Sequence, residues 1–208
     1  MKRFPVIMLC LLLACCCAFA EETSGEDAVT SATLNIDRMP AVEAQDNGIL
    51  VAFCSPDDPT RAAAYAIAAG LHAELFEIAA EEPYTKDDLN YFNNQARSMV
   101  EMRNTDSRPA IAALPEDLSR YDTILLGYPV WGGQAPKIML TFVENVDLSG
   151  KTVVPFCTSN SSPFGTSDKE MKTLAGESVT WRKGTRISKH ATAEEITASA
   201  QEILNPPE

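Results

Sequence analysis

The stretch YDTILLGYPVWGGQAPKI, residues 121–138, decides the fold that we predict for this chain. Its first half is an apolar run typical of a strand buried on both faces, and a helical pattern begins at its end. Trp131 offers a flat apolar face at the strand end, while Gly132 and Gly133 let backbone N–H groups approach the polar edge of a bound ring. We therefore expect a ligand site at this loop.

Strand and helix patterns alternate on both sides of this stretch. The predicted strands are 48–54, 73–79, 121–130, 151–159 and 182–188, and the predicted helices are 60–70, 86–101, 137–146, 166–175 and 192–204. This alternation indicates a parallel sheet covered by helices on both faces. Ligands of such sheets bind beyond the carboxyl ends of the strands, which singles out the loops 55–60, 129–136 and 158–166.

Residues 1–20 have the pattern of an export signal, because two basic residues precede an apolar run, 4–14, that is too short to span a bilayer. Two hypotheses for its processing stay open: cleavage after Ala20, or lipid attachment at Cys15. Either one predicts an exported protein, whether periplasmic, a cell-envelope lipoprotein or secreted. A lipid at Cys15 would be the one membrane anchor.

The charge balance is strongly acidic. Removal of residues 1–20 takes away two of the 17 basic residues and leaves 15 against 29 acidic ones, a balance of −14. Such a surface disfavours nucleic acids and anionic membranes. The acidity either keeps the protein in solution or attracts a basic redox partner.

Beyond the signal, residues 21–47 lack sustained periodicity and are interpreted as a flexible linker, while residues 48–205 form the predicted domain. Four of the six cysteines lie in the signal. The other two, Cys54 and Cys157, end apolar runs. We expect them to be buried, unpaired thiols.

The motifs of the domain resemble those of the flavodoxins, in the branch with a long segment between the second and third strands. The resemblance covers about residues 48–188 and rests on PYTKDDLNY, EMRN with RPAI, the stretch at 121–138, SGKTVVPFCTS and WRKGTRIS. It implies a doubly wound α/β fold with a five-stranded parallel sheet in the order 2-1-3-4-5 and helices on both faces. It also implies a site for FMN. In that order the strands ending at Cys54 and Cys157 flank the third strand, which agrees with unpaired thiols.

The same resemblance places the FMN-binding residues in the three loops. They are Ser55, Thr60 and Arg61 in the first, Pro129, Val130, Trp131, Gly132 and Gly133 in the second, and Thr158, Ser159, Phe164 and Gly165 in the third. Trp131 would cover the isoalloxazine and Phe164 would lie on its other side. Many relatives resemble W-W-G at 131–133, so Gly132 removes one aromatic side chain. No catalytic residue and no metal-ligand cluster stands out in the sequence.

The first loop departs from the family pattern, which resembles S-R-T-G-N-T-K where this chain has SPDDPTR at 55–61. Two prolines remove N–H donors, and Asp57 and Asp58 bring negative charge. Each lost charge-assisted hydrogen bond costs about 1.5–3 kcal/mol, and each exposed carboxylate near a phosphate adds about 1 kcal/mol. A loss of about 5 kcal/mol turns a nanomolar site into one of about 10 μM.

A second motif, DAVTSATLN at 27–35, resembles the acceptor sequence D-x-x-[ST]-[GSA]-A-[ST] for covalent flavinylation. In proteins with this motif an exported, magnesium-dependent flavin transferase joins FMN through its phosphate to the last hydroxyl, here that of Thr33. Sixteen residues separate Thr33 from Ile49, which corresponds to a coil of roughly 20 Å. The effective concentration of about 1 mM that such a tether supplies would fill a site of about 10 μM.

Three hypotheses for function follow. The leading one is an exported FMN protein that carries electrons to a redox partner protein or a small-molecule acceptor. A variant is a reductase acting on a quinone or other small molecule, although no general acid or base singles itself out. The third is a flavodoxin-like module that has lost FMN and serves as a binding or structural domain.

Overall fold

The computed structural model describes residues 42–206. The export signal, the motif at 27–35 and Thr33 lie outside the described residues. The elements are, in chain order, β1 (Ile49–Phe53), α1 (Asp58–Leu71), β2 (Glu74–Glu77), α2 (Arg97–Arg103), β3 (Thr123–Pro129), α3 (Lys137–Asn145), β4 (Thr152–Ser159), α4 (Lys169–Ala175), β5 (Thr180–Trp181), β6 (Thr185–Ser188) and α5 (Ala193–Leu204). Among these residues, no helix has the length and apolar character needed to cross a bilayer.

The strands form one parallel sheet in the order β2-β1-β3-β4-β5. This confirms the doubly wound α/β fold that the sequence predicts. The chain builds outward from β1 to β2 and then crosses to the other side of β1 for β3. The carboxyl ends of β1 and β3 therefore border the crevice where this class of sheet binds ligands.

The fifth strand, predicted as one segment at 182–188, is found in two pieces: β6 at Thr185–Ser188 lies inside the predicted bounds, and β5 at Thr180–Trp181 lies before them. Both segments pair with β4 in parallel, through Thr152 with Thr180 and through Phe156 with Thr185. The ladder is interrupted around Gly184, where the ring of Phe164 lies against the glycine. The fifth position of the sheet is thus filled as predicted, but by two short pieces.

Side chains alternate between the two faces of the sheet, as the pleat requires. On β1, Leu50 and Ala52 pack in the cluster that contains the buried face of α3, and Val51 and Phe53 pack in the cluster that contains α1 and α5. Every residue of the central strand β3 except Thr123 is buried. The apolar runs in the sequence therefore correspond to strands covered on both faces.

Helix α1 does not end at Gly70, as the sequence pattern predicted. It continues to Leu71, and His72 closes it in the left-handed region at φ 52°, with its N–H bonded to the carbonyl of Ala68. Gly70 serves helix packing instead, because a Cβ there would lie 2.7 Å from the Cβ of Ala200 on α5. The predicted helix end at Gly70 was therefore wrong by one residue, and the glycine lies in close contact with α5.

The helix predicted at 86–101 is also displaced, since α2 covers only Arg97–Arg103. The segment before it contains turns closed by side chains. The carboxylate of Asp88 accepts from the N–H of Thr85 at 2.8 Å, and the Asn93 side chain accepts from the N–H of Gln95 at 2.9 Å. Such local bonds offer the backbone an alternative to a helix, and they delay its start.

The end of the predicted linker is attached to the domain. The N–H of Gln45 donates to the carbonyl of His72 at 2.8 Å, and the side-chain amide of Asn47 donates to the carbonyl of Leu71 at 2.9 Å. Val42 packs against the cluster under α1 and α5. The chain thus meets the domain beside the carboxyl end of α1, which is the end opposite the crevice.

Cys54 and Cys157 are free and buried, as the sequence predicted. Cys54 directly follows β1 and Cys157 lies within β4, so β3 stands between the two unpaired thiols. Burial is the main cause that raises the pKa of both thiols above the usual range. Both thiols are therefore protonated at neutral pH and behave as small apolar groups.

A close contact between β3 and β4 supplies the first testable prediction. Gly127 pairs with Phe156, and a Cβ on Gly127 would overlap the fully buried ring of Phe156. We expect Gly127→Ala to lower the free energy of unfolding by about 1–3 kcal/mol through overpacking, measured by urea denaturation. The same substitution in a Phe156→Leu background should cost clearly less; an equal loss in both backgrounds would contradict the contact.

Candidate functional site

Three loops meet beyond the carboxyl ends of β1, β3 and β4. The hydroxyls of Thr60 and Thr158 lie 2.7 Å apart, which joins the start of α1 to the end of β4. The N–H of Val130 donates to the carbonyl of Thr158 at 3.1 Å, which joins the loop after β3 to β4. Pro129, the last residue of β3, lies beside Thr158 in the sheet. The loops singled out in the sequence therefore form one continuous surface.

In the first loop, the Ser55 hydroxyl is used by the loop itself. It accepts the N–H of Arg61 at 2.9 Å and donates to the carbonyl of Asp57. Ser55 is only 5% exposed. The hydroxyl of Ser55 is thus already used in hydrogen bonds within the protein.

Thr60 and Thr158 are turned into the protein as well. Their exposed fractions are 0% and 4%, and their hydroxyls are bonded to each other. In this position the pair fastens α1 to the sheet. Neither hydroxyl faces a ligand that arrives from solvent.

Arg61 is the cation of the first loop, and two carboxylates compensate its charge. It pairs with Glu77 at the end of β2 and with Asp58 at 3.3 Å. The hydrogen bond to Glu77 raises the pKa of the guanidinium above its ordinary value. A phosphate would therefore compete with Glu77 and Asp58 for this cation.

The start of α1 has few N–H groups to offer. A helix leaves its first four amides without helical partners, but Pro59 has no N–H and Ser55 takes that of Arg61. The Asp57 carboxylate caps no amide, and it lies near the surface beside Asp58. Partial desolvation by surrounding atoms, and then the charge of Asp58, raise the pKa of Asp57. This end of the crevice is acidic and poor in donors.

The loop after β3 is a tight two-residue turn. The N–H of Trp131 donates to the carbonyl of Gln134 at 2.9 Å, and the N–H of Gln134 donates back to Trp131 at 3.0 Å. Gly132 and Gly133 between them have φ values of 56° and 86°, as a type I′ turn requires. A Cβ on either glycine would meet nothing within 4 Å. The glycines thus form the turn and leave open space beside Trp131.

Trp131 is held by a residue that the sequence interpretation did not assign to the site. The ring of Tyr84 meets it edge to face, with centroids 5.5 Å apart and an angle of 82°. The Tyr84 hydroxyl donates to Glu101 at 2.6 Å, and Arg97 stacks 4.3 Å from the centre of the same ring. Burial, and then the bond to Glu101, raise the pKa of Tyr84. Tyr84 lies in the PYTKDDLNY motif, so its position in a family motif was the available signal.

The loop after β4 folds back on itself. The hydroxyl of Ser159 donates to the carbonyl of Ser162. The ring of Phe164 packs 6.5 Å from that of Tyr128 and against Gly184, so it contacts the core of the domain. Gly165 beside it is exposed with φ 55°. Phe164 therefore packs against the core of the domain.

A cavity of about 250 Å³ lies beside Tyr84, at the ends of β1 and β2. Its polar groups include the Arg61–Glu77 ion pair. The lining residues are Cys54, Ser55, Pro56, Arg61, Glu77, Ile78, Ala79, Ala80, Pro83 and Tyr84. Tyr84 thus both lines this cavity and contacts Trp131.

The donor set of the three loops fits one half of FMN better than the other. Trp131 and the open turn at 132–133 suit a flat ring with a polar edge. The phosphate half has no unengaged hydroxyl from Ser55, Thr60 or Thr158, and it has carboxylates nearby. The site therefore suits a flavin ring and offers its phosphate little.

Comparisons with known proteins identify the family. The sequence profile described as Flavodoxin matches residues 48–203. Two solved structures assigned to the flavoproteins are similar. The one from Bacteroides eggerthii has 38% identity and a TM-score of 0.68, over 74% of this chain and 96% of that one. The one from Bacteroides uniformis has 37% identity and a TM-score of 0.69, over 74% of this chain and 97% of that one. A flavoprotein from Lactobacillus acidophilus, solved in complex with FMN, shares the fold at 20% identity and a TM-score of 0.55, over 66% of this chain and 91% of that one. No curated protein matches the chain.

The buried hydroxyl pair generates the second prediction. Thr60→Val leaves the Thr158 hydroxyl buried without its partner, and we expect a loss of about 1–3 kcal/mol in the free energy of unfolding. The double variant Thr60→Val/Thr158→Val removes both polar groups, so it should recover most of that loss in urea denaturation. Additive losses from the two single substitutions would show that the hydroxyls do not depend on each other.

Proposed function

The chain belongs to the flavodoxin family, and from that membership we propose that it is an exported electron-transfer flavoprotein whose FMN is attached through its phosphate to Thr33. Family membership supports FMN as the cofactor. The observation that carries the covalent part is the engagement of Ser55, Thr60 and Arg61 with other groups of the protein. A site with so little to offer a phosphate needs another means of retaining the cofactor.

The ring half of the site supports a functional flavin. Trp131 lies at the crevice with an open turn beside it, and the ring of Tyr84 contacts the ring of Trp131 edge to face. When bound, FMN supplies one- or two-electron transfer. The work of the chain is to orient the ring, to shield it from water with Trp131, and to place backbone groups of Gly132 and Gly133 near its polar edge.

The phosphate half supports a weak grip on free FMN. A phosphate that bonded to Arg61 would displace Glu77 or Asp58, and one that used Ser55 would break two bonds inside the loop. Each charge-assisted bond not made costs about 1.5–3 kcal/mol. A phosphodiester at Thr33 carries one negative charge where free FMN carries nearly two, so Asp57 and Asp58 repel it less.

The attachment point of the linker limits how the tether must run. Gln45 is bonded beside the carboxyl end of α1, whereas the crevice lies at the amino end. Helix α1 has 14 residues and is therefore about 21 Å long. The twelve residues from Thr33 to Gln45 reach at most about 40 Å when extended. The tether is therefore long enough to bring a flavin on Thr33 to the crevice, provided that it runs along the length of α1.

An electron carrier accounts for the described site more directly than a substrate-specific reductase does. The titratable side chain in ring contact with Trp131 is Tyr84, and it is engaged by Glu101 and Arg97, which are bonded to each other. The acidic balance of the chain suits a basic redox partner. The proposed partners are thus a basic redox protein or small acceptor, and an exported flavin transferase that modifies Thr33.

The third prediction concerns the covalent bond. Protein purified from a host that exports the flavin transferase should be yellow after denaturation and desalting, with a mass gain equal to FMN less one water. Thr33→Ala should abolish both signals, because it removes the accepting oxygen. Thr23→Ala, which removes a hydroxyl outside the motif, should leave them intact. A colourless protein of unmodified mass from that host would refute the attachment.

The fourth prediction concerns the acidic loop. In Thr33→Ala protein, Asp57→Asn/Asp58→Asn should tighten the binding of free FMN by up to about thirtyfold, since each carboxylate opposes the phosphate by about 1 kcal/mol. Riboflavin, which has no phosphate, should bind the two proteins equally in a fluorescence titration.

The matched control is Glu116→Gln/Glu177→Gln. It removes two exposed charges that precede β3 and β5, at the opposite edge of the sheet. It should leave FMN affinity nearly unchanged. Equal gains from the two charge-removing pairs would mean that net charge, and not the loop, governs binding.

A further inference from the structure

The segment at 81–108 carries a cluster of three side chains that reaches the ring loop. Tyr84 meets Trp131 edge to face at 5.5 Å, its hydroxyl donates to Glu101 at 2.6 Å, and Arg97 lies 4.3 Å from its ring centre. Arg97 also pairs with Glu101 at 2.7 Å. Tyr84, Glu101 and Arg97 thus contact one another pairwise and form a triangle of side chains.

The triangle is shielded and tied to the backbone. The side chains of Arg97 and Glu101 are 23% and 12% exposed. A second nitrogen of Arg97 donates to the carbonyl of Glu82 at 2.7 Å, which links α2 to the segment just before Tyr84. Charged groups removed from water in this way hold their geometry more firmly than exposed pairs do.

Tyr84 packs against the hydrophobic core, and the triangle adds the polar contacts that hold its ring. On one side lies the cavity of about 250 Å³, which Tyr84 lines and into which its ring has room to move. On the other side lies Trp131, whose own turn consists of two glycines with open space around them. Tyr84 thus supplies an edge-to-face contact to Trp131, and Glu101 and Arg97 add to the core packing that holds Tyr84.

We propose that Tyr84 is a positioning residue: held by Glu101 and Arg97, it fixes the Trp131 ring in the orientation that receives the flavin. This inference rests on the proposed function and deepens it. It gives the segment at 81–108 a role in ordering the flavin site. Tyr84 acts through Trp131, and no chemical step is assigned to it.

A second triangle in the same domain supplies a matched control. The Tyr121 hydroxyl donates to Glu74 at 2.7 Å, and Arg120 lies 4.9 Å from the centre of its ring. Arg120 also pairs with Glu74. This triangle has the same chemistry but joins the start of β2 to the segment before β3, at the sheet edge opposite the crevice. Tyr121→Phe therefore tests the loss of a similar hydroxyl far from Trp131.

The experiment uses the full chain with Trp181→Phe, so that tryptophan emission reports Trp131 alone. We expect Tyr84→Leu to increase acrylamide quenching of Trp131 about threefold and to weaken riboflavin binding about tenfold. Glu101→Gln keeps the tyrosine ring but loosens its anchor, so it should shift both measurements in the same direction by less. Tyr121→Phe should change neither.

Each outcome decides a separate point. Unchanged quenching and unchanged riboflavin affinity in Tyr84→Leu would overturn the positioning role, as would equal changes in Tyr121→Phe. If Tyr84→Leu fails to fold, Glu101→Gln decides the question with the same two measurements. A further outcome is that the parent Trp181→Phe protein differs from Tyr84→Leu in quenching and yet binds no riboflavin. In that case the positioning of Trp131 stands and the proposed flavin function fails.

Discussion

The contact between the Thr60 and Thr158 hydroxyls, 2.7 Å apart and buried, ties the first turn of α1 to the end of β4. That tie places the start of the helix where a doubly wound sheet receives an anion, and it also turns the hydroxyls away from any anion. The hydroxyl of Ser55 is likewise bonded within its own loop, and Arg61 is paired with Glu77. The groups suited to a phosphate have thus become parts of the scaffold. Internal bonds thus take the place of bonds to a ligand in the phosphate half of the site.

The ring half of the site has the opposite character. Its turn needs positive φ at both central residues, so two glycines follow Trp131 and leave space beside its ring. Rigidity comes from outside the turn, through Tyr84 and the charged pair that anchors it. A flavin would therefore be recognised by its ring, and the phosphate would serve best as the point of attachment to the chain. The acidic loop that repels a free phosphate would also attract the basic redox partner that we propose.

Much of the fold was predictable from the sequence because the apolar runs of β1, β3 and β4 are buried on both faces, a strong local signal. The strand order came from family motifs and not from periodicity. Features set by contacts distant in the sequence were missed: Gly70 lies against α5, and the fifth strand breaks around Gly184, where the ring of Phe164 lies against the glycine. In the site, Trp131, Gly132 and Gly133 were assigned from a local motif, and their contact with a flavin stays a prediction. The mutual bonding of Thr60 and Thr158 spans 98 positions, so no local pattern reveals it.

The central claim is that this domain recognises the flavin ring and is nearly indifferent to the phosphate. The most direct test compares the dissociation constants of FMN and riboflavin for the unmodified wild-type domain under identical salt and pH. The account predicts a ratio below about ten, which corresponds to about 1.4 kcal/mol. A preference for FMN larger than this would mean that the loop after β1 still grips a phosphate, and it would contradict the account.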